Sequence, residues 1–347
     1  MAVPPREAPG APPIHYAAPV VVTGGAGLVG RDLVAQLVAG DCPDIRIVDL
    51  EAPAGGAPAG TGPVRAFRMD LRTDDLAPAF DGAGTVLHLA ACQYHSPLAS
   101  STHRLPFAAV NVAGTRRVLE AARRGGARVF VFVSTSMVYG LPVSVPVRED
   151  HPRRPIGPYG RSKVEAEDLV AAAHRREMRT AIVRPPALYG PGRTGVVTRV
   201  FDRILAGQPI PMLGDGRNRQ ELASPEDCAR LVMLAGHDGD AHAVYNCGAA
   251  AVPTMREWVT ALIDDAGSRS AIVAVPAGLA EPGLWLLECV HRSPLRREQY
   301  AIASRDYTLD TTAARGRLGW APRWSGLEAA LAGFRWYRAA RGWASEA

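Results

Sequence analysis

The segment Pro19–Gly30 constrains this chain more than any other part of it. A short apolar run from Pro19 to Thr23 meets a turn holding Gly24, Gly25, Gly27 and Gly30, and an amphipathic stretch from Arg31 to Ala39 follows. Strand, glycine turn and helix in that order bring backbone amides and a helix N-terminus together, where a pyrophosphate can approach because no Cβ obstructs it. The spacing assigns that approach to Gly24, Gly27 and Gly30, with Ala26, Leu28 and Val29 in the same turn. G-x-x-G-x-x-G departs from the commoner dinucleotide spacing, so a plain tight turn stays open as an alternative. Asp49 adds an independent signal. An acidic residue closing the second strand, about twenty residues past the turn, can accept hydrogen bonds from ribose hydroxyls. A carboxylate there also repels a 2′-phosphate, which favours NAD over NADP.

The same rhythm continues along the chain. Apolar or β-branched runs at Ile45–Val48, Thr85–Leu89, Val129–Val133 and Thr180–Val183 alternate with helical stretches at Val110–Arg124 and Tyr159–Arg176. This predicts a doubly wound α/β fold, a parallel sheet covered on both faces. After Arg184 the alternation breaks at Pro185-Pro186, Tyr189-Gly190-Pro191-Gly192 and Leu213-Gly214-Asp215-Gly216. It returns briefly with a helical Pro225–Ala235 and a strand-like Ala243–Asn246. We therefore expect a disordered tail over residues 1–18 and an NAD-binding Rossmann domain from 19–186 plus 225–250. A smaller, interleaved substrate lobe would take 187–224 plus 251–340, with a cleft between the two. Asp70 and Leu71 then fall near the adenine end.

Composition removes several alternatives. The chain has 347 residues, 47% of them apolar, enough for a sizeable core. Its start lacks both a basic segment and an apolar run, so neither a signal peptide nor a membrane span is predicted. Five cysteines without a C-x-x-C pair fit a reducing cytoplasm, and no metal site is expected. The net charge of +5 is spread thinly, which gives no nucleic-acid footprint.

Of 39 basic residues, one is lysine, leaving 38 arginines. That lysine, Lys163, lies four residues after Tyr159, one turn along the same helix face. An ammonium there is expected to lower the phenol pKa, making Tyr159 a general acid or base. Upstream, Val129–Val133 runs into Ser134-Thr135-Ser136, where a hydroxyl can hold the substrate oxygen; Thr135 is the candidate. Cys92–Pro97, after the fourth strand, should face the reacting end of the cleft, making Tyr94 and His95 candidate substrate contacts.

Taken together, the chain resembles the extended short-chain dehydrogenases/reductases of the NAD-dependent epimerase/dehydratase group over nearly everything after residue 18. The resemblance rests on Thr23–Gly30, His88-Leu89-Ala90-Ala91, Asn111–Thr115, Ser134-Thr135, Val138-Tyr139-Gly140, Tyr159/Lys163, Arg184-Pro185, Tyr189–Gly192 and Leu318-Gly319-Trp320. It implies a catalytic set of Asn111, Thr135, Tyr159 and Lys163, bound NAD, and a homodimer joined through helices near 110–124 and 159–176. Leu89, Ala90, Ala91, Ser134 and Pro186 join the cofactor contacts; Ser136, Ala187, Arg219 and Gln220 join those to substrate. Family dehydratases carry an Asp-Glu pair after the threonine, whereas this chain has Ser136-Met137, so sugar 4,6-dehydration is not expected. Ala187 and Gln220 stand where nucleotide-sugar enzymes of the family tend to place asparagine and arginine, and Ser293–Gln299 resembles the 3β-hydroxysteroid dehydrogenase branch. The expected activity is hydride transfer at a secondary hydroxyl or ketone of a sugar nucleotide or a bulkier steroid-like alcohol. A non-catalytic NAD sensor on the same fold is the alternative.

Overall fold

A computed structural model describes residues 16–51, 63–94, 106–174, 177–237, 242–289 and 295–343. In chain order the elements begin β1 (Val20–Thr23), α1 (Leu28–Ala39), β2 (Ile45–Asp49), β3 (Val64–Arg68), α2 (Ala77–Phe80) and β4 (Thr85–His88). A π-helical turn, Ala108–Gly114, leads into α3 (Thr115–Gly125), followed by β5 (Val129–Val133), α4 (Pro158–Ala173), β6 (Arg179–Arg184) and β7 (Ala187–Leu188). Then come α5 (Val196–Leu205), β8 (Ile210–Leu213), β9 (Leu222–Ala223), α6 (Pro225–His237), β10 (Ala243–Asn246), α7 (Met255–Asp265) and β11 (Ile272–Val275). Four helices close the chain: α8 (Ala277–Cys289), α9 (Arg297–Ala303), α10 (Thr312–Leu318) and α11 (Gly326–Ala340).

Seven strands form one parallel sheet in the order β10-β6-β5-β4-β1-β2-β3. The strands are near-continuous apolar runs because both faces are covered, and alternate residues enter opposite cores. Val20 and Val22 join the layer under α1, α6 and α10; Val21, Phe130 and Phe132 join the layer under α2, α3 and α4. Phe130 and Phe132 are fully buried, each stabilising by roughly 1.5–3 kcal/mol. The order reverses between β1 and β4, so the carboxyl ends of these strands open a crevice where such sheets bind ligands.

A third core, around Phe201, Trp258, Leu262 and Phe334, belongs to α5, α7 and α11, away from the sheet. Two short ribbons, β7 with β9 and β8 with β11, contribute Leu222, Ile210 and Met212 to that third core. The segment assigned to a disordered tail is packed at its end: the Tyr16 hydroxyl donates to Met233 O at 2.6 Å, and a Cβ on Gly84 would lie 2.6 Å from Ala17 C. Residues 1–15 lie outside the described residues. Among the described residues, no helix is long and apolar enough to cross a membrane.

Candidate active site

The glycine turn follows from contacts that only glycine permits. Gly24 sits at φ +74°, and a Cβ on it would stand 2.6 Å from Ala90 N; one on Gly30 would enter the Gly24 carbonyl. The chain therefore passes tightly from β1 to α1, whose N-terminus carries no side-chain cap. Asp49 Oδ2 accepts from Ala26 N–H at 2.9 Å, and its Oδ1 accepts from Leu50 N–H at 2.7 Å. The carboxylate predicted to meet a ribose thus also holds the turn beside it. Leu89 and Ala90 line the same turn, the Leu89 N–H donating to Thr23 O at 3.0 Å. Ala91 follows them, half-buried. An uncapped helix start, a cradle that side chains would fill and an acid at the end of β2 fit a dinucleotide. Asp70 is turned toward Arg72, pairing at 2.6 Å, while Leu71 is buried in the core.

Behind the turn, His88 bridges Thr23 Oγ1 (2.5 Å) and Thr115 Oγ1 (2.9 Å). Burial first, then the charge of Lys163, pushes its pKa down to about 3, so the ring is neutral. Thr115 donates to Asn111 O at 2.7 Å, inside the π-helical turn. Asn111 spends its side chain on two elements: Oδ1 accepts from Cys92 N–H at 2.7 Å, and Nδ2 donates to Cys92 O and to Ser162 Oγ at 2.9 Å. Ser162 in turn donates to Tyr159 O at 2.7 Å. Asn111 therefore ties the loop after β4 to the helix that carries Tyr159.

Tyr159 and Lys163 are both buried in α4, at 8% and 1% exposure. The Tyr159 ring packs with Phe107 and Tyr94 at centroid distances of 5.8 and 6.2 Å. Its phenol is close to Thr135, whose Oγ1 accepts from Met137 N–H at 3.2 Å. Burial, followed by the charge of Glu298, raises the phenol pKa; Thr135 and Arg193 oppose that rise. The lysine does not act as its spacing suggests. Its Nζ donates to Val133 O at 2.8 Å and stands 4.0 Å over the Phe132 ring, and burial lowers its own pKa to about 7. A flexible side chain one turn away has more than one acceptor within reach, and here the end of β5 takes it.

Ser134 and Ser136 are buried beside Thr135, with Ser136 O accepting from the Tyr307 hydroxyl at 2.6 Å. Pro186 is buried and Ala187 exposed, the latter paired with Leu222 in the small β7/β9 ribbon. Arg219 and Gln220 are directed elsewhere: Arg219 Nη1 donates to Val252 O at 2.5 Å, and Gln220 Nε2 to Ile302 O and Arg305 O. His95 lies outside the described residues. Residues that sequence reasoning missed stand close by. Glu298 accepts the Tyr94 hydroxyl, Arg193 lies near Tyr159 and Tyr189, and Glu167 forms a buried ion pair with Arg184. Glu298 and Tyr94 are 204 residues apart, and Arg193 lies 34 residues beyond Tyr159, so no local spacing signals these approaches. Trp285 is 54% exposed and lines an open hollow with Glu281, Arg297, Tyr300 and Arg305.

A doubly wound sheet with a glycine cradle and a Tyr/Lys helix beside a threonine defines a dinucleotide-dependent oxidoreductase. The chain belongs to the NAD dependent epimerase/dehydratase family, whose model matches residues 20–248. It is 31% identical to a dTDP-glucose 4,6-dehydratase of Streptomyces griseus over 93% of this chain and 95% of that protein. Among solved structures, MoeE5 in complex with UDP-glucuronic acid and NAD superposes with a TM-score of 0.73 at 28% identity, covering 92% of this chain and 99% of that one. DesIV, a dTDP-glucose 4,6-dehydratase from Streptomyces venezuelae crystallised as a double mutant with NAD bound, gives 0.74 at 28% identity, covering 94% and 98%.

The protein is thus an NAD-dependent enzyme of the extended short-chain dehydrogenase/reductase type. A non-catalytic sensor finds no support among these relatives. The expectation against 4,6-dehydration is also overturned, because dehydratases stand among its similar sequences and structures. That expectation looked for an acid pair only beside Thr135. The fold brings carboxyls together from distant segments, as it brings Glu298 from α9 to the start of α4.

Proposed function

We propose that the chain oxidises a secondary hydroxyl of a nucleotide-linked hexose and carries the resulting ketone on to 4,6-dehydration or epimerisation. The observation that carries this reading is the buried Tyr159, close to the buried Thr135 beside the crevice of the glycine cradle. Bound NAD supplies the hydride acceptor. Gly24, Ala26, Gly27, Leu28, Val29 and Asp49 would hold its adenosine diphosphate part, and Lys163 its nicotinamide ribose. Thr135 holds the substrate oxygen, Tyr159 serves as the acid/base for the hydroxyl proton, and Asn111 fixes the helix so that the phenol stays aimed. The hollow with Trp285, Arg297, Tyr300 and Arg305 supports a nucleotide, since it offers an aromatic face and two guanidiniums suited to a diphosphate.

The division into a cofactor lobe (19–186 plus 225–250) and a substrate lobe (187–224 plus 251–340) belongs to the same reading. So does a homodimer through α3 and α4, whose outer faces expose Arg116, Glu120, Arg123, Glu165 and Asp168. Cys42, Cys92, Cys228 and Cys247 stand outside any disulfide, which supports a cytoplasmic location.

The test is incubation with NAD and, separately, dTDP-glucose, UDP-glucose and UDP-glucuronic acid, followed by mass spectrometry and NMR of the sugars. Loss of one water identifies dehydration, and inversion at one carbon identifies epimerisation. Turnover of a polycyclic alcohol with none of the three sugars would overturn the substrate class. Sedimentation of the purified protein reads the oligomeric state.

A further inference from the structure

The first N–H groups of a helix have no acceptor within it, and α4 has little of its own to offer them. Its N-cap, Gly157, carries no side chain, and Pro158 has no N–H, so the donors to be met begin at Tyr159 and Gly160. One carboxylate, delivered from α9 in a distant part of the sequence, meets both. Glu298 Oε1 accepts from Tyr159 N–H at 3.3 Å and Oε2 from Gly160 N–H at 3.1 Å. The same carboxylate accepts the Tyr94 hydroxyl, and Glu298 is only 2% exposed. The sequence leaves room for it: a Cβ on Gly157 would press into Glu298 Oε1, and one on Gly160 would lie 3.3 Å from Oε2.

We propose that Glu298 is a positioning residue for the reaction. It caps the catalytic helix from α9, fixes Tyr159 at the first turn, and binds Tyr94 to the same point. The proton-transfer group is then set only when α9 is docked. A carboxylate suits the site because the N-terminal end of a helix favours negative charge. Burial pushes the Glu298 carboxyl up, while the Tyr94 hydroxyl, the two N–H groups and Arg161 hold it down; Arg296 acts on the neighbouring Tyr94. Facing Tyr159 are Glu298, Thr135, Arg193 and Cys92, and Glu298 is the strongest of these in raising its phenol. Neutralising the carboxylate therefore eases Tyr159 ionisation while loosening its placement.

The proposal rests on Tyr159 as the acid/base, and the experiment separates the two. In the NAD-loaded full chain carrying tyrosine labelled at Cζ, the Tyr159 resonance is assigned by its loss in Tyr159→Phe and titrated by NMR. In Glu298→Gln its ionisation should move down by about one pH unit. The kcat for the substrate found above should fall roughly tenfold, with KM and NAD affinity nearly unchanged. Gly157→Ala, which displaces the carboxylate without altering it, should move both readouts the same way. An unmoved Tyr159 titration in both variants overturns the proposal. If instead Tyr159→Phe keeps full turnover, the acid/base reading fails while the titration still decides what Glu298 does.

Discussion

Arg184, the last residue of β6, and Glu167, on the helix α4 that carries Tyr159, meet in a two-point ion pair. The Nε–Oε1 and Nη2–Oε2 distances are 2.9 and 2.7 Å, and the side chains are 5% and 1% exposed. Burial pushes the Glu167 carboxyl up, but the hydrogen bonds and charge of Arg184 overcome that and hold it below the usual carboxylate range. Arg184 also donates to the Tyr139 hydroxyl at 2.9 Å, which donates to Asn246 on β10 at 2.6 Å. One buried network thus joins α4 to the edge of the sheet.

Removing Arg184 leaves the buried Glu167 carboxylate with the partly exposed Arg153, 3.2 Å away, as its remaining ion-pair partner among the described residues. Arg184→Met should cost about 3–5 kcal/mol, and the double variant Arg184→Met/Glu167→Leu distinctly less. Urea unfolding of the three proteins decides it. A single variant as stable as the parent would show that the pair contributes nothing.

Lys163 makes stability depend on pH in the cofactor-free protein. Its pKa is about 7 when folded and near 10.5 when free, so between those values the unfolded chain holds a proton that the folded chain lacks. Stability from this group therefore rises with pH across that window and is flat below about pH 7. Lys163→Met should lose the rise. Thermal unfolding from about pH 6 to about pH 9 compares the slopes, and parallel curves would refute the assignment.

On the proposed reading Asp49 serves two purposes, and its replacement should show both. Asp49→Asn weakens the acceptor for Ala26 N–H and removes the charge that repels a 2′-phosphate. NAD affinity should drop roughly tenfold, about 1.4 kcal/mol, while the preference over NADP narrows. Calorimetric titration with each dinucleotide reads both effects. An unchanged ratio would mean the discrimination lies elsewhere.

Tyr159→Phe keeps the ring packed against Phe107 and Tyr94 and removes only the hydroxyl. We expect kcat to fall about 10²–10⁴-fold with NAD binding retained. Stopped-flow turnover alongside cofactor fluorescence separates these, and wild-type turnover would dismiss Tyr159 as the acid/base.

Much of this protein is legible in local spacing. Backbone sterics allow few residues at Gly24 and Gly30, and strands buried on both faces need unbroken apolar runs, so PVVVTGGAGLVG and VFVFV announce the sheet and its cofactor turn. The four-residue step from Tyr159 to Lys163 likewise places both on one side of a helix. What that lysine touches was not legible, because the acceptor at Val133 and the ring of Phe132 come from another element. Arg219 and Gln220 show the same limit: their position suggested a substrate contact, and the fold turned them onto Val252, Ile302 and Arg305.

The sequence by itself determined the class of fold and the kind of chemistry, since both rest on short-range rules of backbone geometry and helical spacing. Only the tertiary structure decided which charges reach Tyr159. Glu298 lies 139 residues away along the chain, and electrostatics and hydrogen bonds act through space, over distances that sequence separation does not measure.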